Sequence, residues 1–323
     1  MMKKVIFAAL VLIIGLWSCS GSDEIETSSD GYVNVTIGTQ SGNPKSIVAP
    51  GGATSWNIDD QVRILDVDGV DQLFSYAAET PKSSAEFTGR LKSGQGNQVY
   101  RAYYIPKKAE TTLKNGHILV IERDNLVITE DGITNNSAIF GSYCPMVAMP
   151  FKFDAEDKTA SKLVQFYHLA SMIEGRVSLR NPQDLEYLNR IINRVVFVVE
   201  AIGSTPFYKK IEFDLNLLSP TSSVEDLNEC ILGVGEKTNI ISTTMNMQER
   251  TIKDLMDEYK LLGSFAIPIF AHPTEDAFNY KASICFYDLA GVLQLKLEGS
   301  ASASKLNPAG LNILNFDYKK IVE

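Results

Sequence analysis

The chain has 323 residues, a formal net charge of −9, and 45% hydrophobic against 21% charged residues. That length exceeds one compact core and suits two domains of about 130–160 residues, while the apolar fraction excludes disorder over most of it. An acidic surface argues against nucleic acid as a partner, and three histidines and four cysteines leave little material for a zinc site or a thiol nucleophile.

At the N-terminus, Lys3 and Lys4 precede an unbroken apolar run from Val5 to Trp17. Its 13 residues fall short of the roughly 20 that a helix needs to cross a bilayer. A charged start before such a core predicts a secretory signal over residues 1–18. The run ends in Leu16-Trp17-Ser18-Cys19, which resembles the bacterial lipobox, where the cysteine is acylated and becomes the first mature residue. Trp17 stands where that box usually carries something smaller, and ordinary cleavage with Cys19 as a bystander is the alternative. Removing residues 1–18 takes two lysines and no acid from the net −9, leaving −11. The polar, acidic stretch 19–31 cannot bury enough surface to offset its ordering entropy, so it reads as a flexible tether. Each buried methylene of an acyl chain adds about 0.8 kcal/mol of membrane affinity, so a lipid on Cys19 predicts a membrane-anchored exterior protein. The acidic run after it resembles the surface-export signal of Bacteroidetes lipoproteins, which implies the outer membrane as partner.

From Tyr32 onward the period is two. Tyr32-Val-Asn-Val-Thr-Ile-Gly38 places Val33, Val35 and Ile37 on one face of a strand about 23 Å long. Further strands are predicted near 61–66, 99–105, 117–121, 146–153, 163–166, 174–179, 194–200, 207–217, 264–270, 280–287, 292–297 and 313–318. Asp68-Gly69, Asn115-Gly116, Asp131-Gly132 and Asn307-Pro308 mark turns between them. Short strands with turn-rich connections predict an all-β fold of antiparallel sandwiches rather than βαβ units. Helical inserts are predicted over 252–262, from apolar residues at Ile252, Leu255, Met256, Tyr259 and Leu262, and over 224–232. The polar stretch 154–162 suggests a division into sandwiches at 32–158 and 159–323.

Candidate chemistry is sparse. Asp66-Val-Asp68-Gly69-Val-Asp71 puts its glycine at position four, where a calcium loop of the EF type needs it at six; a hairpin turn is the simpler reading. His117, His168 and His272 are isolated among apolar neighbours. Asp59-Asp60, and Glu249 with Asp254, are acids near one another in sequence, with nothing to show convergence on a glycosidic bond. No Gly-x-Ser-x-Gly, Gly-x-Gly-x-x-Gly or P-loop occurs, so neither a catalytic residue, a cofactor nor a metal is expected. Tyr100, Tyr103 and Tyr104 could stack on a sugar, although a sandwich core is the commoner use of such a row.

Several segments then occur in a familiar order. They are Trp56-Asn-Ile-Asp-Asp60-Gln-Val-Arg-Ile-Leu65, Ala85-Glu-Phe-Thr-Gly89-Arg-Leu91, Tyr100-Arg-Ala-Tyr-Tyr-Ile-Pro106, Pro145-Met-Val-Ala-Met149, Val164-Gln-Phe-Tyr-His168-Leu-Ala-Ser-Met172 and Leu306-Asn-Pro-Ala-Gly310. The set resembles the fimbrillin-like proteins of Bacteroidetes, surface lipoproteins of the type V pilus. The resemblance implies two transthyretin-like β-sandwich domains in tandem and a non-enzymatic pilus subunit or pilus-associated adhesin. It implies pilus subunits as partners through strand exchange, with a host protein or glycan as a further partner. It also implies removal of the first strand by a protease cutting after a basic residue. Here the strand that leaves would carry Val33, Val35 and Ile37, and the basic residue after it is Lys45, where the family commonly has arginine. A plain solvated loop lysine is the other reading of Lys45. A donor strand would lie within 311–323, where Leu314, Phe316 and Tyr318 alternate; an internal strand of the second sandwich is its alternative. The competing function is a surface lipoprotein that captures glycans.

Overall fold

The computed structural model describes residues 31–39, 47–48, 54–80, 84–92, 98–106, 110–122, 126–128, 145–154, 162–178, 189–205, 207–232, 235–254, 264–269, 278–304 and 311–317. In chain order the first strands are β1 (Tyr32–Thr39), β2 (Ile47–Val48), β3 (Thr54–Ser55), β4 (Gln61–Leu65), β5 (Asp71–Tyr76), β6 (Glu86–Lys92), β7 (Gln98–Tyr104) and β8 (Glu110–Lys114). Next come β9 (Ile118–Glu122), β10 (Leu126–Ile128), β11 (Met146–Ala148), β12 (Phe151–Phe153), β13 (Lys162–Val164), β14 (Phe166–His168), β15 (Ser171–Ser178) and β16 (Ile191–Ile202). The last are β17 (Phe207–Tyr208), β18 (Lys210–Asp214), β19 (Lys237–Thr238), β20 (Ile240–Thr251), β21 (Ser264–Ile269), β22 (Phe278–Tyr287), β23 (Leu293–Ser304) and β24 (Leu311–Asp317). The fold is all-β, as the period-two patterning predicts.

Helical structure is slight among the described residues. Glu225–Asn228 form a 3-10 turn inside the stretch predicted to be helical over 224–232. At 251–254 a capping box opens the other insert: Thr251 N–H donates to Asp254 Oδ2 at 3.1 Å, and Asp254 N–H donates back to Thr251 Oγ1 at 3.1 Å. Hydrogen bonding to the Thr251 side chain first, and then to its N–H, holds the Asp254 carboxyl below its ordinary range. Residues 255–262 of that predicted helix lie outside the described residues.

The largest sheet has nine strands in the order β13-β1-β6-β5-β4-β7-β11-β14, with β12 also on β7. Its two ends, β13 and β14, are consecutive in the chain and separated only by Gln165. One short segment therefore pairs with β1 on one side and with β11 on the other, and the layer closes on itself. Closure covers part of the edge that an open sheet of nine strands would expose. The strands at 162–168, just past the polar stretch, thus belong to the same sheet as the strands before it. A second sheet has the order β10-β20-β16-β22-β23, built on the long antiparallel pairs of β16 with β20 and β22.

Strand β7 is buried on both faces and separates two cores. Tyr100, Ala102 and Tyr104 point into a cluster with Val33, Val35, Ile37, Trp56, Phe74, Phe87 and Phe166. Tyr103 points the other way, into a cluster with Leu119, Ile121, Tyr208, Ile211, Phe213 and Leu227. Residues distant in sequence meet in that second core because β18 pairs antiparallel with β9 from Lys210↔Glu122 to Asp214↔Ile118. Arg101 Nε adds a bond to Leu215 O at 2.9 Å.

Two hairpin turns 222 residues apart use one design. In β4-β5, Asp66 N–H donates to Val70 O and Gly69 N–H to Asp66 O, both at 3.0 Å. Val70 N–H and Gln72 Nε2 donate to the two Asp66 carboxylate oxygens at 2.9 and 3.2 Å. In β22-β23 the same four bonds join Asp288, Gly291, Val292 and Gln294, at 3.0, 3.0, 2.8 and 2.7 Å. Gly69 and Gly291 sit at φ +75° and +78°, a region other residues rarely adopt. Asp66 is therefore a buried turn cap, and among the described residues no group of three or more His, Cys, Asp or Glu gathers to hold a metal. Replacing Asp66 with alanine strips acceptors from the Asp68 and Val70 amides; urea denaturation should show a loss of about 1–3 kcal/mol. Asp68→Ala, which removes only an exposed ion pair to Lys92, should cost at most about 1 kcal/mol.

Candidate functional site

Strand β1 alternates as its sequence requires. Val33, Val35 and Ile37 are 1%, 6% and 0% exposed, while Asn34 and Thr36 between them face solvent. Along one side β1 pairs antiparallel with β6 through seven residue pairs, Tyr32↔Lys92 to Gly38↔Glu86. Opposed residues share a face, so the three inward side chains sit beside Leu91, Gly89 and Phe87. Beneath them lies an aromatic floor: Trp56 meets the rings of Phe87 and Phe166 edge-on, at centroid separations of 5.0 and 5.5 Å. Gly89 is required there, because a Cβ on it would lie 2.7 Å from the Phe74 ring.

On its other side the described residues pair with β1 at its end. Ile37, Gly38 and Thr39 pair in parallel with Lys162, Leu163 and Val164 of β13; the described residues show no such pairing for 32–36. Strand exchange asks for a first strand that is placed at an edge and covers an apolar groove; β1 covers apolar floor but lies between β6 and β13 in the sheet order. Among the described residues, β1 is flanked on that side over Ile37, Gly38 and Thr39. Thr39 anchors that covered end. Its N–H donates to Ala85 O at 2.8 Å, and its Oγ1 accepts from Ala85 N–H at 3.0 Å. Both residues are buried, at 2% and 3% exposure.

Without β1, β6 and β13 would face each other across a gap one strand wide, about 9–10 Å between backbones at ordinary strand spacing. Its floor would be the Trp56–Phe87–Phe166 cluster. Fully burying three side chains the size of Val33, Val35 and Ile37 contributes of the order of 5–8 kcal/mol gross.

The other predicted residues distribute as follows. Cys19 and Lys45 lie outside the described residues. β24 carries Leu314 and Phe316, runs parallel to β15, and ends the order β21-β15-β24; Tyr318 lies outside the described residues. Tyr100, Tyr103 and Tyr104 are buried, at 0%, 0% and 4%, and Tyr104 Oη donates to Asp60 Oδ1 at 2.9 Å, so these rings form core rather than a platform for sugar. Asp60 spends its other oxygen on Asn57 N–H, at 2.7 Å. His168 is buried opposite Met146, and His272 lies outside the described residues. Cys230 and Cys285 are free and buried; burial first, then nearby acids, push the Cys230 thiol up to about 12, far from a reactive thiolate at neutral pH. Sequence reasoning missed Thr39, Ala85, Gly89 and the role of β13. Thr39 was the one within reach, since it continues the alternate row of Val33, Val35 and Ile37.

No protein-family model matches the chain, and no curated protein does. Solved structures match it in shape. A Bacteroides uniformis protein provisionally named a cell adhesion protein superposes with a TM-score of 0.50 at 11% identity, over 91% of this chain and 94% of its own. A Bacteroides ovatus protein of the same provisional name gives 0.48 at 11% identity, over 88% and 92%. At such identity the likeness to the first speaks for a shared fold.

Gly89→Ala tests the geometry beneath β1. Forcing a methyl group against the Phe74 ring and the Leu73 carbonyl oxygen should cost about 1–3 kcal/mol in urea unfolding.

Proposed function

We propose that this chain is a non-enzymatic adhesion protein of the bacterial cell surface, of the fimbrillin-like type, that joins other pilus subunits by strand addition. The observation that carries the reading is β1 itself. It is the first described strand, with a buried apolar row over an aromatic floor, closing a layer whose neighbouring strands stay tied to each other the long way round. In β-augmentation the backbone of an incoming strand supplies the binding and pockets for alternate side chains supply the selection; the slot under β1 offers both. The name and fold of the Bacteroides uniformis protein support adhesion, and the ordered sequence segments support the fimbrillin-like assignment with two transthyretin-like sandwiches.

In this reading Cys19 carries the lipid that holds the protein at the outer membrane, and 19–31 is the tether. A protease cuts after Lys45, β1 departs, and a strand from another subunit takes its place. Gly42, Asn43 and Pro44 before Lys45 are residue types favoured in accessible, nickable turns.

Two measurements test it. Intact mass of the protein extracted from membranes should show acyl chains on Cys19, and Cys19→Ala should move the protein out of the membrane fraction. Brief trypsin treatment should cut after Lys45, and the cut chain should then take up a fluorescent peptide of the sequence 32–39, read as a rise in polarisation and co-elution on gel filtration. The uncut chain and a Lys45→Gln chain given the same treatment should leave the peptide free. A chain cut at Lys45 that ignores the peptide would falsify strand addition at β1.

A further inference from the structure

Resting on that reading, we infer that the slot selects its occupant by a hydroxyl at the Thr39 position, and that the occupant is a strand of a different protein rather than the C-terminal strand of a second copy. The occupant has small or β-branched apolar residues at three alternate positions, then glycine, then serine or threonine.

The argument starts from Ala85. Its amide is buried, and its acceptor is the Thr39 hydroxyl at 3.0 Å. Any replacement strand brings a backbone carbonyl and amide to this point, but only a side chain with an oxygen on Cβ reaches the Ala85 N–H in the same way. A strand with alanine or valine there leaves that donor without a partner in a site closed to water, and an unpaired buried donor is the costly case. One residue earlier, Gly38 faces outward beneath the Leu163 side chain, and a Cβ at Gly38 would come within 3.0 Å of Leu163 Cδ2. Glycine fits that position unaltered; anything larger must push Leu163 aside. The three apolar sites are equally definite. The middle one, filled by Val35, lies beside Gly89, whose face is already covered by the Phe74 ring. Ile37 is fully buried beside Phe87, so larger rings overpack both sites.

Set against these needs, the C-terminal strand fails in every register, because residues 305–323 contain neither serine nor threonine. If Leu314, Phe316 and Tyr318 occupy the three apolar sites, Lys319 falls at Gly38 and Lys320 at Thr39. Sliding back to Ala309, Leu311 and Ile313 sets Leu314 against Leu163 and puts Asn315 at the hydroxyl site. Elsewhere in the chain no segment but β1 combines three alternate apolar residues with a following Gly-Thr or Gly-Ser.

The test uses the full chain cut after Lys45 and three peptides: residues 32–39, the same peptide with Thr39→Ala, and residues 311–319. Competition against labelled 32–39 peptide is read by fluorescence polarisation, and the cut chain alone is run on gel filtration at high concentration. The unmodified peptide should compete, the Thr39→Ala peptide should be weaker by about tenfold, the 311–319 peptide should not compete, and the cut chain alone should stay monomeric. Equal affinity of the Thr39→Ala peptide, competition by 311–319, or self-assembly of the cut chain would each overturn the inference while leaving strand addition standing. Failure of the unmodified 32–39 peptide to bind overturns strand addition itself, and this inference with it.

Discussion

Every backbone amide and carbonyl in a buried layer needs a partner, and in this protein one eight-residue strand satisfies that need for two others. β1 lies between β6 and β13, and with its help the nine-stranded layer closes. Closing a layer covers edges that could otherwise be joined by accident. Were β1 absent, the rest of the layer would remain continuous. The remaining strands from β6 round to β14, and from β14 back through Gln165 to β13, stay paired or covalently linked.

Two cores with β7 between them give that arrangement its independence. Val33, Val35 and Ile37 belong to one cluster, whereas the pairing of β18 with β9 and the packing of Tyr103, Phe213 and Leu227 belong to the other. Loss of β1 uncovers the first cluster along one side and touches the second nowhere among the described residues. The segments that carry the family resemblance divide the same way. Trp56 is floor beneath β1. Asp60 closes the turn after it through Asn57 and reaches Tyr104 across the core. The stretch from Ala85 to Leu91 is the strand beside β1, with Gly89 bare because a ring lies on it. These residues are matched for packing and for turn closure.

Much of this was legible before any coordinates. The alternation of β1, the Asp-Gly turn at Asp68-Gly69, the core use of the tyrosine row and the all-β class follow from residue types at short range. Strands β5, β6, β8, β10 and β20 were not legible. In β6 the inward row is interrupted by Gly89, which packs by lacking a side chain. In β20 the buried row of Ile241, Thr243, Met245 and Met247 mixes a hydroxyl and two thioethers with a single β-branched hydrocarbon, so its period is faint. β10 is three residues long and gains its place only by lying parallel to β20. The repeated turn at Asp66 and Asp288 escaped notice because seven residues recurring once at long range form no period.

The sequence by itself determined which side of β1 would be buried, since a two-residue period places alternate residues on opposite faces whatever surrounds the strand. It could not determine what would lie on either side of that strand. Neighbours in a sheet are chosen by pairing between segments far apart in the chain, and β13, some 125 residues downstream of β1, is recruited by closure of the layer rather than by any local signal. The tertiary structure alone placed Thr39 against Ala85 and Gly38 under Leu163, because a hydroxyl or a missing side chain acquires meaning only from the atoms brought to face it.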